Sequence, residues 1–236
     1  MVLLESLGPV KRAWSIIRGR DTWQRVQLRC KRILLGNEHA RWCVCPTRLT
    51  PQSIVYSFGV GEEISFDLEL IRQFGVRVHA FDPTPRSIQW VRAQAIPPEF
   101  VFHEYGVADF DGTCKFTPPE NSAHVSYSML RKNNALRAIQ VPVHRLTTIM
   151  EKLEHDHIDV LKMDIEGAEY GVIADLLSCE ISVDQLLIEF HHRWPEVGVD
   201  KTKHAIRGLN ETGYRIFNIS PTGEEYSFSR NRADQL

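Results

Sequence analysis

The chain has little of what marks a membrane span, a disulfide scaffold or a nucleic-acid binder. No apolar run approaches the roughly 20 residues needed to cross a bilayer. Five cysteines (Cys30, Cys43, Cys45, Cys114, Cys179) in 236 residues form no even framework, and Cys43 and Cys45 make C-x-C rather than the C-x-x-C of a zinc or redox site. They are expected to be free thiols in a reducing, cytoplasmic setting. Lys11, Arg12, Arg18 and Arg20 interrupt the apolar start before a signal-peptide core can form, so no leader is expected. A net charge of −2 gives no whole-molecule attraction for nucleic acid, and none is expected as a partner. There is no internal repeat and no low-complexity tract.

What charge there is lies unevenly. Residues 1–50 hold ten Lys/Arg against three Asp/Glu; the remainder holds eighteen against twenty-seven. Within that basic N-terminal extension, residues 10–35 read as an amphipathic helix. Trp14, Ile17, Trp23, Val26, Cys30 and Ile33 recur at helical spacing, with Gly19 and Asp21 dividing it and Gly36-Asn37 stopping it. It is expected to pack over the following domain, with peripheral contact to a membrane surface or an anionic substrate as the alternative.

From residue 51 to 236 the texture is that of one catalytic domain. Apolar strands are expected at 53–58, 76–81, 100–102, 158–163 and 185–190, separated by helices at 62–74, 84–95 and 168–177. Such alternation predicts a doubly wound, mainly parallel α/β sheet. Tyr214–Ile219 and Glu225–Phe228 around Pro221-Thr222-Gly223 read as a closing strand pair. Asp111-Gly112 reads as a hairpin turn, and the polar stretch 117–137 as a substrate lid.

In such sheets ligands bind beyond the carboxyl ends of the strands. Gly59 and Gly61 follow the first strand, flanked by Phe58, and glycine lets a ligand lie against bare backbone. Asp82 ends the second strand 21 residues after Gly61, followed by Pro83; its carboxylate suits the two ribose hydroxyls of an adenosine or, more plainly, a helix cap. A dinucleotide fingerprint needs a third glycine, and Ile64 stands in its place. Glu62, Glu63 and Asp67 crowd the helix start, which repels a diphosphate and suits the sulfonium and ammonium of S-adenosylmethionine.

Asp164, Glu166 and Glu169 lie at the end of the fourth strand; Glu189, His191 and His192 end the fifth. Methyl transfer to oxygen requires an acceptor held in line, a proton removed and water excluded. Asp164, Glu166 and His191 are the candidate catalytic residues, with His191 as a base of ordinary pKa near about 6.5. A less favoured alternative is Mg²⁺ held by Asp164 and Glu189.

Four stretches in order, "VHAFDPTP" at 78–85, "YGVADFDGTCKF" at 105–116, "LKMDIEGAE" at 161–169 and "LLIEFH" at 186–191, resemble the FkbM-type methyltransferases. The resemblance covers roughly residues 53–192. It implies a Rossmann-like class I fold, S-adenosylmethionine as donor, and O-methylation of a hydroxyl on a sugar, glycan or small natural product. It also implies that Gly59 and Gly61 line the methionine end, that Asp82 meets the ribose, and that Gly106, Val107 and Ala108 sit by the adenine. Asp164, Glu166 and Glu169 match the acidic motif. The family's first loop usually begins with an acid and ends with glycine; Ser57 and Glu63 stand there instead, which moves the ammonium contact to Glu63 or Asp67. Two other readings are a methyltransferase-like binding module without turnover and a nicotinamide-dependent oxidoreductase.

Overall fold

A computed structural model describes residues 8–38, 40–117 and 138–230. The expected lid therefore lies, apart from Thr117, outside the described residues. The chain opens with α1 (Gly8–Ile17), then β1 (Ile33–Leu35) and β2 (Trp42–Val44). The alternating region follows: β3 (Ile54–Phe58), α2 (Ser65–Phe74), β4 (Arg77–Phe81), α3 (Pro85–Arg92) and β5 (Phe100–His103). Next come the short strands β6 (Gly106–Val107), β7 (Gly112–Phe116) and β8 (Ile139–His144), then α4 (Leu146–Lys152) and β9 (Ile158–Met163). The described part closes with α5 (Glu169–Ser178), β10 (Val183–Glu189), α6 (Val199–Glu211), β11 (Tyr214–Ile219) and β12 (Glu225–Arg230).

Seven strands form the main sheet in the order β11-β12-β10-β9-β3-β4-β5. The contacts among β10, β9, β3, β4 and β5 are parallel, and only β12 runs antiparallel to its neighbours. The expected doubly wound sheet with an antiparallel C-terminal strand is what forms. Order reverses between β3 and β9, so the cleft at their carboxyl ends is the switch point. Register sorts side chains onto two faces. Tyr56 and Phe58 pair with Leu161 and Met163 and join the core that includes α5 and α6 residues; Val55 and Val160 join the core under α2. Ser57 pairs with Lys162, one residue short of each strand end.

Three expectations change. The helix expected over 10–35 is instead Gly8–Ile17 and ends there. Residues 22–32 form neither helix nor strand, and the N–H groups of Gln27 and Leu28 donate to the Ile216 carbonyl at 2.7 and 3.0 Å. An edge strand offers unpaired backbone groups, and satisfying them outweighs a helical pattern of apolar residues. The N-terminal segment also contributes a hairpin: Leu35, Trp42, Cys43 and Val44 are buried in the core under α2. Finally, Asp111-Gly112 does not turn a hairpin between its flanking strands; β6 and β7 both pair with β8, on opposite edges. No helix among the described residues is long and apolar enough to cross a membrane.

Candidate active site

The turn after β3 is built around Gly59. Its N–H donates to Phe81 O, while the Asp164 N–H donates to Phe58 O, both at 3.1 Å. The backbone there takes φ +81°, and a Cβ would stand 1.7 Å from the Asp164 carbonyl oxygen. Gly59 is therefore fixed by sheet packing as much as by any ligand. Gly61 differs: at φ +57° a Cβ there would meet nothing within 4 Å, because it faces open space.

That space is a cavity of ≈ 330 Å³ at the carboxyl ends of β3, β4 and β9. Phe58, Gly59, Gly61 and Glu63 line one side; Asp82, Pro83, Gly106 and Val107 another; Asp164 and Glu166 a third. The structure thus brings together ten of the sequence-derived site residues. Phe58 and Phe81 stack at 4.3 Å between ring centroids, giving the cavity an aromatic base. Ala108 is a correction. It is buried with Val141 and Val143 in the small sheet, its N–H donating to His144 O, and it is not among the cavity's lining residues.

Asp82 does two jobs at once. Its Oδ2 accepts from the N–H groups of Val60 and Gly61 at 3.1 and 2.9 Å. Its Oδ1 accepts from the Thr84 N–H and hydroxyl at 2.9 and 2.6 Å. A carboxylate offers about four acceptor positions, and here the chain's own donors take them. The carboxylate lies on the cavity wall while tying the glycine loop to the start of α3.

The acids of the loop separate by environment. Glu62 makes a bidentate pair with Arg86 at 2.8 and 2.9 Å. Glu63 accepts from the Ser65 N–H at 2.7 Å and from the Asn37 side chain. Asp67, only 2% exposed, lines a smaller adjoining pocket, and its Oδ1 has no hydrogen-bond partner. Burial pushes its pKa up to about 6, partly opposed by the nearby Lys162 ammonium.

At the ends of β9 and β10 the carboxylates converge on one imidazole. Glu169, fully buried, accepts from the His191 N–H at 3.0 Å and from the Gly167 N–H at 2.8 Å, and its Oε1 lies 3.2 Å from His191 Nδ1. His191 Nε2 lies 3.4 Å from Glu166 and 3.9 Å from Asp164. Glu166 itself is held at φ +54°. Burial alone would lower the His191 pKa, but Glu169, Glu166 and Asp164 outweigh it and raise the value to about 10. A ring protonated at neutral pH has no lone pair to accept a proton. The expected base role of His191 is therefore set aside, and its place is to hold the carboxylates.

Burial and the adjacent Asp164 raise the Glu189 pKa well above the ordinary carboxylate range, so one proton is retained by this pair. Asp164, Glu166 and His191 each present a ligand atom within 4.8 Å of the others, a donor set that could hold a divalent cation once His191 gives up its proton. Glu189 is not in that group; it stands beside Asp164, as expected from the neighbouring strand ends, and hydrogen-bonds to it.

The profile of the family described as the methyltransferase FkbM domain matches residues 53–216. The chain belongs to this family. It is similar to the probable methyltransferase-like protein 24 of Rattus norvegicus, 28% identical over 71% of this chain and 43% of that protein. It is also similar to the Homo sapiens protein of the same name, 25% identical over 70% of this chain and 42% of that protein. The match thus spans under half the length of these relatives. Among solved structures, methyltransferase FkbM from Methylobacillus flagellatus KT aligns with TM-score 0.48 and 15% identity, over 77% of this chain and 44% of that one. Fibrillarin from Aeropyrum pernix, solved with natively bound S-adenosyl-L-methionine, aligns with TM-score 0.39 and 11% identity, over 89% and 85%.

FkbM membership makes this an S-adenosylmethionine-dependent methyltransferase domain by family, with the Rossmann-like class I sheet described above. The residues fit such a cofactor: open space faces Gly61, and an orphaned buried carboxylate oxygen waits at Asp67. Two contributors were missed in the sequence. Phe116, at the end of β7, lines the main cavity. Lys162 lines the side pocket, and its signal was a lone lysine among the apolar residues at the end of β9.

Proposed function

We propose that this domain transfers the methyl group of S-adenosylmethionine to a hydroxyl on a sugar, glycan or small natural product, with Asp164 receiving the proton. The observation that carries the reading is the meeting of the Gly59–Gly61 loop, Asp82 and Asp164 around one cavity at the strand switch point. The bound donor supplies an electrophilic methyl on a positive sulfur. Pro83, Gly106 and Val107 form an adenine wall, and Asp82 stands at the ribose, where a sugar hydroxyl exchanges with one of its present donors.

Asp164 lines both the main cavity and the side pocket, and its side chain is one-third exposed. It is the ionisable group best placed to meet an acceptor. An acceptor oxygen becomes strongly acidic as its bond to carbon forms, so a carboxylate is basic enough to take its proton late in the displacement. His191, protonated and clamped by Glu169, orients Asp164 and Glu166, and the acidic form of Glu189 keeps the neighbouring charge low. Phe116 and Ile165 flank the cavity and exclude water.

Isothermal calorimetry with S-adenosylhomocysteine and with NAD tests the cofactor half. Heat with the sulfur ligand and none with NAD is expected; the reverse would return the domain to the oxidoreductase reading. For the catalytic half, Asp164→Asn should bind S-adenosylhomocysteine like the wild type and lose methyl transfer by about 10²-fold or more. Unchanged turnover would remove Asp164 from the mechanism.

A further inference from the structure

Among the described residues, seven large apolar side chains are exposed. Four of them, Trp14 (56%), Ile17 (79%), Trp23 (69%) and Val26 (45%), fall in one short stretch near the N-terminus. A lone exposed apolar residue is ordinary, whereas a cluster marks a surface that something covers. Helix α1 turns its apolar side outward. Arg12, Ser15 and Ile16 are half-buried, while Ala13, Trp14, Ile17 and Arg18 are exposed. A helix that only packs on its own domain does the reverse. The stretch is also pinned. Asp21, 3% exposed, lies 3.0 Å from His192 Nε2 and accepts from Arg193 at 2.7 Å, and Arg12 donates to Ser220 O at 3.5 Å.

Charge decides what the cover is. Between residues 8 and 36 the sequence has one acid, Asp21, and it is already taken. Arg18, Arg20, Arg25 and Arg29, all exposed, interleave with the four apolar residues, and the Arg18 guanidinium stands 4.5 Å from the centre of the Trp14 ring. We propose that residues 14–29 are a docking surface for an anionic lipid bilayer. Trp14, Ile17, Trp23 and Val26 enter the headgroup layer, and the arginines pair with lipid phosphates and carboxylates. A polynucleotide would use the arginines and indoles but gains nothing from Ile17, the most exposed of the four, or Val26. It would also meet a remainder, 51–236, that carries twenty-seven acids against eighteen bases. The docking end matters too. Ser220 belongs to the turn before β12, whose Glu225 pairs with Glu189 at the carboxyl end of β10. The anchor of α1 therefore lies at the end of the sheet that holds the main cavity, and a docked bilayer adjoins that end. The proposal stands apart from the methyl-transfer reading.

Cosedimentation of the full chain with vesicles tests it, using phosphatidylcholine alone and phosphatidylcholine with a quarter phosphatidylserine. Wild-type protein is expected to pellet with the anionic vesicles and little with the neutral ones. Raising salt from about 0.1 M to about 0.5 M, which cuts the screening length from about 10 Å to under about 5 Å, should release most of it. Arg25→Gln with Arg29→Gln should weaken binding about fivefold for each arginine. Trp14→Ala with Trp23→Ala should weaken it about tenfold or more while melting like the wild type, because both rings are exposed. Trp14→Phe with Trp23→Phe keeps the apolar surface, so it should still bind but lose fluorescence quenching by brominated lipid. Pelleting that ignores lipid charge and salt would overturn the proposal, as would no pelleting at all, or double variants that pellet like the wild type. A dimer in solution that Trp14→Ala with Trp23→Ala abolishes would assign the surface to a second copy instead. Tighter binding to a single-stranded oligonucleotide than to anionic vesicles would assign it to nucleic acid, and either result sinks the lipid reading.

Discussion

The Asp82 side of the site and the side pocket next to it are finished to different degrees. Asp82 has its acceptor positions filled by Val60, Gly61 and Thr84, so the loop and α3 hold their shape without a ligand. Asp67, a few residues along the same loop-helix unit, keeps a buried oxygen with no donor. The first carboxylate is spent on architecture; the second sits beside Ser57 and Lys162 with one oxygen unpaired. Substitutions at the two should therefore move stability and affinity in opposite proportion.

The largest effect is expected where architecture is absolute. Gly59→Ala places a Cβ 1.7 Å from the Asp164 carbonyl at a positive φ, and backbone on both sides leaves no room to yield. Thermal denaturation should show a loss of about 3 kcal/mol or more, or no folded protein. A variant that melts like the wild type would mean that the β3–β9 junction is looser than described.

Asp82→Ala leaves the loop N–H groups of Val60 and Gly61 without their acceptor, and should cost about 2–3 kcal/mol of stability while weakening every adenosine ligand. Asp67→Asn should behave oppositely, with melting unchanged or slightly raised because a buried charge is removed, and with affinity lost. If both variants lose stability equally, the contrast between the two carboxylates is wrong.

A pH titration sharpens the same contrast. Burial lifts Asp67 to about 6, above an ordinary carboxyl near 3.8. Its folded form thus holds a proton more tightly than the unfolded chain, so its burial favours folding most below about pH 4 and that advantage fades as pH rises through 6. Ligand binding runs the other way. Affinity for S-adenosylhomocysteine should fall as pH drops through 6, when Asp67 gains the proton and can no longer pair with an ammonium. The facing charges are Lys162 from β9, Asp164 just after it, Glu63 at the head of α2, Arg41 on the rim, and Glu189 and Glu225 on the far wall. Calorimetry between about pH 5 and 8 reads this, and in Asp67→Asn the dependence should shrink. The smallest change is expected for Thr84→Val, which removes the 2.6 Å hydroxyl contact to Asp82 but keeps the backbone one. About 1 kcal/mol of stability should go, with ligand affinity little altered.

The central strands were legible because each is an apolar run bounded by glycine or a polar tip, and the acids at those tips stand in the sequence where the strands must end. Gly59, Asp82 and Asp164 followed from that placement. The N-terminal segment was not legible. Trp14 to Ile33 mimic a helical stripe, yet Gln27 and Leu28 bond to β11 at the edge of the sheet, and β1 and β2 are three residues each, too short to show a period. Strand β8 was hidden by Pro142 in its middle, which argues against a strand in the sequence. The base role given to His191 failed for a different reason. Its ordinary pKa says nothing of the three carboxylates that a turn, a helix start and a neighbouring strand bring around it.

A crystal structure with S-adenosylhomocysteine bound tests the central claim most directly. The account predicts adenine against Pro83, Gly106 and Val107, the ribose beside Asp82, the sulfur within reach of Asp164, and the amino-acid end beside Asp67. A ligand seated elsewhere, or a Gly59–Asp82 cleft that stays empty at saturating ligand, would contradict it.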